Sequence, residues 1–329
     1  MMNTKAVCQR LSVTPKMLRI YEEQGLIHPE RLDNNYRNYS MENLIQIETI
    51  SVLRHLGFSI SEIKSILTFD KTKNEYLDML YLQYKALDAQ IRELQNKKNE
   101  LKGNINKLMD SCEDENFNDI LIRERNRSYK KLLNYDDIIN AWNFDEMASD
   151  FINRYMMEDI PYQKTIRRLQ EMIRSMGKNT FTDVGCGTCN LWQEIGDEKD
   201  ILAIDSSLPM LLESKKKFPW IKVSMDDILS LDINSYRKSD VVVSAFMLHH
   251  IDYCDQYKAA DNILKLCREG GIVLIADRCY RDPAMKGSDK TEFFIIAEEM
   301  KQYLQLKNTE VKIEYTDENM VIFIVKRLV

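Results

Sequence analysis

Alternating four- and three-residue spacing between apolar side chains, from Tyr76 to Met109, is the feature that most constrains this chain. Apart from Gly103, no residue there commonly interrupts a helix. The seam consists of Leu80, Tyr84, Leu87, Ile91, Leu94, Leu101, Ile105 and Leu108, with Lys98 in the remaining slot. A narrow stripe sustained for about four heptads is typical of a coiled coil. We predict one long helix whose seam packs against its own domain or, the interpretation we favour, against a second copy of the chain.

The length and composition indicate a soluble protein of more than one domain. A chain of 329 residues is long for a single core. It contains no apolar run of the roughly 18 residues that a membrane span needs, and its N-terminus is polar where a signal peptide would be apolar. The seven cysteines are scattered rather than arranged as a disulfide framework. We therefore expect a cytoplasmic protein with reduced thiols and no membrane partner.

The net charge of −6 is distributed unevenly along the chain. Residues 1–69 hold eight Lys and Arg against seven Asp and Glu, whereas the remainder holds 38 against 45. Neither part has a large positive field. If the N-terminal part binds DNA, it must use a few well-placed cations.

The first 25 residues predict two short helices joined by a tight turn. Thr4 can cap the first helix, and Thr14 followed by Pro15 is a strong start signal for the second, which ends at Gly25. Such a pair is a helix-turn-helix, whose second helix lies in the major groove. The cations that would then face phosphates or bases are Lys16 and Arg19.

The next segment predicts a hairpin and two further helices. Asn34 and Asn35 can take the left-handed conformations of a tight turn. The strand that follows, with Tyr36, Arg37 and Tyr39, would form a wing beside the helix-turn-helix. Ser40 would cap the third helix, and Ser59 with Glu62 forms a capping box for the fourth.

The stretches LSVTPKMLRIYEEQGLIHPERLDNNYRNYS and LRHLGFSISEIKSIL resemble the winged-helix DNA-binding domain of the MerR family of transcription regulators. Ile20 and Asn35 depart from the family pattern without threatening the fold. The resemblance implies a homodimer, formed through the coiled coil, that binds a pseudo-palindromic promoter and distorts it for RNA polymerase. The DNA-binding residues it implies are Thr14, Lys16, Arg19, Tyr21, Tyr36, Arg37 and Tyr39. The alternatives are a core position for Tyr21 and a solvated charge for Arg37.

Metal sensors of this family place cysteines just beyond the long helix, where this chain has Cys112. No second Cys or His follows before Cys186, and a thiolate site needs several ligands. We therefore expect a free thiol and no metal site. Residues 113–137, which mix both charges and lack Pro and Gly, predict a semi-rigid connector.

The remainder of the chain predicts an α/β domain that binds a nucleotide. The segment TFTDVGCGTCNL is a strand that ends in a glycine-rich turn, and a second strand, ILAID, ends in Asp205. Small residues let the backbone approach a ligand, and a carboxylate at the next strand end accepts hydrogen bonds from ribose hydroxyls. Further strands follow in IKVSMDDIL and SDVVVSAFMLHHI, and ILKLCREGGIVLIAD supplies a helix, a turn at Gly270 and Gly271, and a fifth strand. A helix from about Glu292 to Leu306 and two strands that pair antiparallel follow.

Together these elements resemble a class I S-adenosylmethionine-dependent methyltransferase. By that resemblance the glycine turn passes the methionine moiety, Asp205 holds the ribose, and Asp227 meets the adenine. The implied cofactor-binding residues are Asp183, Gly185, Cys186, Gly187, Asp205, Ser206, Met210, Asp227, Ile228, Ser244 and Phe246. Cys189 stands where a third glycine is usual, and we expect its side chain to narrow the turn.

Methyl transfer depends mainly on positioning, with a base for an acidic acceptor. His249 or His250 would be that base, unless the pair is only a turn element. An aromatic segment would cover the cofactor and contact the acceptor, or else form plain core, and it contains Trp142, Phe144, Phe151, Tyr155 and Tyr162.

We therefore predict a multidomain protein. Residues 1–72 form an α-rich winged helix-turn-helix, 73–112 a dimerisation helix, 113–137 a connector, and 138–329 an α/β Rossmann-like methyltransferase domain. Our main hypothesis is a transcription regulator whose C-terminal domain binds S-adenosylmethionine or S-adenosylhomocysteine as effector. The alternative is an active methyltransferase of a small molecule that regulates its own gene. A domain that binds an unrelated ligand is a third hypothesis, for which Cys189 is the only hint.

Overall fold

The computed structural model describes residues 2–31, 35–68, 73–110, 159–177, 179–196, 199–287 and 292–328. The chain divides into two compact units, Met1–Phe117 and Asn118–Val329. The predicted connector, Cys112 and the aromatic residues Trp142, Phe144, Phe151 and Tyr155 lie outside the described residues. None of the described helices is both long and apolar enough to cross a membrane.

The first unit is helical, with a small three-stranded sheet in the order β1, β3, β2. Its elements are β1 (Met2–Asn3), α1 (Thr4–Leu11), α2 (Pro15–Glu23), β2 (Glu30–Arg31), β3 (Arg37–Tyr39), α3 (Met41–His55), α4 (Ile60–Thr68) and α5 (Lys73–Asp110). Strands β2 and β3 pair antiparallel, and Asn35 between them has a φ of 63°. The predicted helix-turn-helix, wing and long helix are therefore all present.

Local capping chemistry explains where most of these helices begin. The Thr14 hydroxyl accepts the N–H of Met17 at 3.2 Å, as the Thr-Pro start signal predicts. Ser59 and Glu62 form the expected capping box, in which the Ser59 N–H donates to the Glu62 carboxylate at 2.7 Å. The prediction that Thr4 caps α1 is wrong. Asn3 is the cap, because its side-chain oxygen accepts the N–H of Ala6 at 2.9 Å.

Helix α5 is continuous over 38 residues. At its start Leu80 packs against the core of the first unit. Further along, the described seam side chains have no such cover, and the exposed ones are Tyr84, Leu87, Ile91, Leu94 and Leu101. The side chains of Ile105 and Leu108 lie outside the described residues. The seam therefore packs on its own domain at one end and presents an apolar stripe beyond it.

The second unit is a sheet covered by helices on both faces. Its elements are α6 (Ile160–Ser175), β4 (Thr180–Val184), β5 (Asp200–Asp205), α7 (Leu208–Lys217), β6 (Lys222–Met225), β7 (Ser239–Ala245), α8 (Tyr253–Leu266), β8 (Cys267–Tyr280), β9 (Ile295–Ile296), α9 (Ala297–Gln305), β10 (Thr309–Asp317) and β11 (Met320–Arg327).

The strand order in this sheet is β10, β11, β8, β7, β4, β5, β6, and β9 pairs with β8. Strands β4 to β8 are parallel, whereas β10 and β11 form an antiparallel end, as predicted. The order turns back between β4 and β7, so that β4 has β5 on one side and β7 on the other. In open α/β sheets a ligand binds at such a switch point, outside the carboxyl ends of the strands.

Alternating side chains of the central strands pack into separate cores on the two faces of the sheet. On β7, Val242 joins the core beneath α8 and α9, while Val241 and Val243 join the core beneath α6. Because both faces are covered, the parallel strands are almost continuously apolar. Polar side chains at strand ends therefore stand out as candidates for function.

Two details of the second unit differ from the prediction. Gly270 and Gly271 do not form a turn that ends a helix but lie inside β8, where the pairing with β7 shifts register between Cys267 and Ile272. Helix α9 begins at Ala297 and not at Glu292. Residues before it are extended, because β9 pairs with the end of β8.

Candidate functional site

In the first unit the predicted DNA contacts divide into surface and core residues. Lys16 and Arg19 on α2 are exposed, as are Thr14 at its start and Tyr36 in the wing. Arg37 is half-buried, and its Nε donates to the Glu22 carboxylate at 2.6 Å. The outer face of α2 and the wing thus presents cations, of which Arg37 is fixed by an ion pair.

Two of the predicted DNA contacts are core residues. Tyr21 is 2% exposed and Tyr39 is 0% exposed, and both belong to the apolar core of the first unit. The helical period turns Tyr21 inward beside Leu18, and the alternation along β3 turns Tyr39 inward after Asn38. The structure therefore corrects the prediction for these two residues, and the core alternative holds for Tyr21.

In the second unit the glycine turn lies at the switch point of the sheet. Gly185 and Gly187 have φ values of 69° and 52°, a region that glycine enters without strain. A Cβ on Gly185 would meet Met247 at 2.3 Å, whereas a Cβ on Gly187 would meet nothing within 4 Å. Gly185 is therefore required by packing, and Gly187 leaves open space beside the turn.

Asp205 at the end of β5 holds this turn in place. One carboxylate oxygen accepts the N–H of Gly187 at 2.8 Å, and the other accepts the N–H of Ser207 at 2.9 Å. A carboxylate oxygen has more than one lone pair, so each can still accept a hydroxyl. The predicted ribose carboxylate and the predicted glycine turn thus form one hydrogen-bonded unit.

The remaining predicted cofactor residues lie along the same strand ends. The Asp226 N–H donates to the Asp205 carbonyl at 3.1 Å. The segment that continues into Asp227 and Ile228 therefore begins next to Asp205 in space. Ser244 lies near the end of β7 and Phe246 directly follows that strand, on the side of β4 opposite β5. Ser206 is exposed, and Met210 is a buried residue of α7. The carboxyl ends of four neighbouring strands, β7, β4, β5 and β6, therefore bring the predicted residues to one edge of the sheet. We call it the cofactor edge, after the predicted role of these residues.

Cys189 adopts a φ of 60°, which explains why glycine suits this position. A side chain in the left-handed region costs roughly 1 to 2 kcal/mol. Cys189 is fully buried in the core beneath α6. Its side chain therefore points into the core and does not narrow the turn, contrary to the expectation from sequence.

Two buried hydroxyls near the turn have no hydrogen-bond partner among the residues that the structure describes. They belong to Thr188 and Ser244, each 1% exposed. A buried hydroxyl without a partner costs free energy of roughly 1 to 3 kcal/mol. Thr188 directly follows Gly187 and Ser244 lies on β7 beside β4, so both hydroxyls lie close to the glycine turn.

Asp183 on β4 lies beneath the turn and is buried. Its pKa is raised to about 7, mainly by burial and also by the nearby charge of Asp205, although the hydrogen bond from the Trp192 indole N–H at 2.7 Å lowers it. Sequence reasoning missed Trp192 as the partner of Asp183. The signal available was a buried tryptophan nine residues after an aspartate, which is too general to identify a hydrogen bond.

This pKa predicts how the stability of the second unit depends on pH. The native state binds more protons at Asp183 than the unfolded state does between about pH 4 and pH 7, so stability falls as pH rises through this window. From pH 5 to pH 7 the loss should be roughly 2 kcal/mol, and Asp183→Asn should abolish it. The measurement is urea unfolding followed by tryptophan fluorescence. All three Trp residues lie in the second unit, so this signal reports that unit alone.

Asp200 offers a matched control for that experiment. It lies on β5, and its hydrogen bonds with Arg237 and Lys222 lower its pKa. It therefore stays ionised across the window, and Asp200→Asn should keep the wild-type slope. An equal slope in Asp183→Asn and the wild type would show that Asp183 does not carry the effect.

His249 is oriented by a carboxylate that the sequence did not reveal. Its Nδ1 lies 2.5 Å from Asp277 on β8, and the other Asp277 oxygen accepts the Leu248 N–H at 2.7 Å. The ring centroids of Tyr162 and Phe246 are 4.4 Å apart, and those of Phe246 and His249 are 6.4 Å apart. One predicted aromatic and one predicted base thus border the cofactor edge.

Comparison with known proteins agrees with this division. The family model described as "MerR HTH family regulatory protein" matches residues 2–69, and "MerR, DNA binding" matches 44–103. The model described as "Methyltransferase domain" matches residues 181–271. The two units of the chain thus match different families.

Individual relatives match one unit each. The HTH-type transcriptional regulator HmrR of Rhizobium leguminosarum bv. viciae is 30% identical, over 34% of this chain and 86% of that protein. An "Uncharacterized methyltransferase" of Bacillus cereus (strain 03BB102) is 25% identical, over 52% of this chain and 80% of that protein. A solved S-adenosylmethionine-dependent methyltransferase from Clostridium acetobutylicum ATCC 824 has a TM-score of 0.45 and 16% identity, over 55% of this chain and 98% of that chain. The chain belongs to the MerR family of HTH-type regulators, and a methyltransferase domain follows its long helix in the sequence.

Proposed function

We propose that this protein is a homodimeric promoter-binding regulator whose second unit binds S-adenosylmethionine or S-adenosylhomocysteine as its effector. The observation that carries the proposal is the hydrogen-bonded unit of Gly187 and Asp205 at the switch point of the sheet. Gly187 leaves room for the methionine part of the ligand, and Asp205 can accept the ribose hydroxyls. Asp227 is the candidate partner for the adenine amine.

The buried hydroxyls support the same ligand. Thr188 follows Gly187 directly, and Ser244 lies near the end of β7, beside β4. Both can hydrogen-bond the amino or carboxylate group of a bound amino acid. A nucleoside linked to an amino acid therefore fits this edge better than a nucleoside alone.

The DNA-binding part of the proposal rests on the exposed cations of the first unit. Lys16 and Arg19 lie on the open face of α2, where the helix-turn-helix would meet the major groove, and Tyr36 with Arg37 lies in the wing. A dimer formed through α5 would present two such faces to the two halves of a promoter. RNA polymerase is the partner that would use the distorted promoter.

The test is calorimetric titration of the whole protein with each ligand, alone and with the DNA upstream of its own gene. We expect micromolar binding, and we expect DNA to change the ligand affinity at least fivefold. Linkage requires the ligand to change the DNA affinity by the same factor. Binding of the ligand with no mutual effect would remove the effector role, and absence of binding would remove the cofactor assignment as well.

The second candidate function is methylation of a small acidic molecule, with the regulator controlling its own gene. The observation that favours it is the Asp277 carboxylate, which fixes the His249 ring so that Nε2 is turned away from Asp277. A base oriented in this way can take a proton from a hydroxyl or phenol acceptor. Turnover of S-adenosylmethionine to S-adenosylhomocysteine in the presence of candidate acceptors would distinguish this function from sensing alone.

A further inference from the structure

His249, His250 and Glu292 bring three potential metal ligands together in the second unit. One nitrogen or oxygen from each lies within 4.8 Å of the others. The two histidines belong to a short 3-10 helix, Leu248–His250, that follows β7. Glu292 precedes Phe293, whose N–H donates to the His249 carbonyl at 2.7 Å. This backbone bond ties the segment of Glu292 to the histidine pair.

The orientation of His249 is that of a metal ligand. Its Nδ1 faces the Asp277 carboxylate, so Nδ1 carries the proton and Nε2 presents a lone pair. Nε2 lies 3.9 Å from the Glu292 carboxylate. Histidines that bind metals commonly donate their second N–H to a carboxylate, which fixes the ring and raises its basicity.

Burial and charge support the same use. The His249 and Glu292 side chains are 5% and 11% exposed, so the carboxylate is largely withdrawn from water. His250 lies partly buried beside them. Arg278 lies 3.9 Å from the second oxygen of Glu292, but it also donates to Asp159 at 2.8 Å. The positive charge of Arg278 is therefore shared between Glu292 and Asp159.

We propose that His249, His250 and Glu292 form a binding site for a divalent transition metal of the zinc type, with Asp277 as the residue that positions His249. Two imidazoles and one carboxylate are a ligand set that zinc accepts, and three protein ligands leave a fourth position open. The site borders the cofactor edge through Phe246. A metal there would bind the hydroxyl oxygen of a small molecule at the open fourth position and favour deprotonation of that hydroxyl. The site does not depend on the cofactor assignment.

The test uses the full-length protein, stripped with a chelator and titrated with Co²⁺ and then Zn²⁺. We expect one Co²⁺ per chain, visible d–d absorption without a thiolate charge-transfer band, and displacement by Zn²⁺. Glu292→Gln and His250→Ala should each weaken binding at least 100-fold, and Asp277→Asn should weaken it roughly 10- to 100-fold. The other two of the four histidines supply the controls, and His28→Ala and His55→Ala should bind as the wild type does.

Three results would each overturn the proposal. They are a wild-type protein that binds no Co²⁺, equal binding by Glu292→Gln and the wild type, and a thiolate band that identifies cysteine ligands instead. Glu292→Gln keeps the shape of the side chain, so it guards against loss of fold. Zn²⁺ should raise the thermal midpoint of the wild type and leave that of Glu292→Gln unchanged. Failure to bind S-adenosylmethionine, in contrast, would bear only on the cofactor.

Discussion

Replacement of Asp205 by alanine should weaken S-adenosylmethionine binding by roughly 100- to 10,000-fold. Two hydrogen bonds from ribose hydroxyls to a carboxylate account for about 3 to 6 kcal/mol. The same substitution removes the acceptor of the Gly187 N–H and so loosens the turn beside the methionine moiety. The measurement is calorimetric titration of the wild-type protein and the variant under identical conditions.

The control for this prediction lies on the same strand. Asp200 begins β5 at the opposite edge of the sheet, where it is bonded to Arg237 and Lys222 on the surface. Asp200→Ala removes a carboxylate from β5 without touching the strand ends that form the site. Its ligand affinity should equal that of the wild type. If Asp205→Ala also bound with wild-type affinity, the assignment of Asp205 to the ribose would be wrong.

A comparison of Asp205 with Asp277 shows what the sequence can predict of the site. Asp205 is predictable because it ends a strand at a fixed distance from a glycine turn, and both features are local in sequence. Asp277 is separated from His249 by 28 residues, and only the parallel pairing of β7 with β8 brings them together. Glu292 is more distant still and was predicted to begin a helix. Contacts made by the topology of a sheet leave no pattern within one segment.

The same distinction explains the first unit. The starts at Thr14, Ser40 and Ser59 depend on hydrogen bonds across three residues, so each is predictable from the sequence and present in the structure. The burial of Tyr21 and Tyr39 depends on how the helices and the wing pack together. A tyrosine suits a core and a DNA surface equally well, because it has a large apolar ring and a polar tip. The residue type alone therefore could not assign them.

Replacement of Leu94 by lysine should convert the dimer to monomers and abolish tight promoter binding. Leu94 is 64% exposed within the single chain, although it occupies a seam position of α5. Burial of a leucine side chain stabilises by about 1.5 to 3 kcal/mol, and each dimer loses two of them. The dimer dissociation constant should rise roughly 100- to 10,000-fold. Analytical ultracentrifugation would measure it, and titration with promoter DNA would follow.

Leu82 makes this test specific to the seam. It lies on the same helix and is 68% exposed, nearly as much as Leu94, but it falls outside the seam spacing. A lysine at either position therefore has a similar effect on the free chain, and only the seam position should affect the dimer. Equal weakening by Leu82→Lys and Leu94→Lys would show that the heptad spacing does not define the interface. Weakening by Leu94→Lys alone would establish that two chains meet along the stripe predicted from sequence. A parallel loss of promoter affinity would show that the first unit, which has little net charge, needs dimerisation to bind DNA tightly.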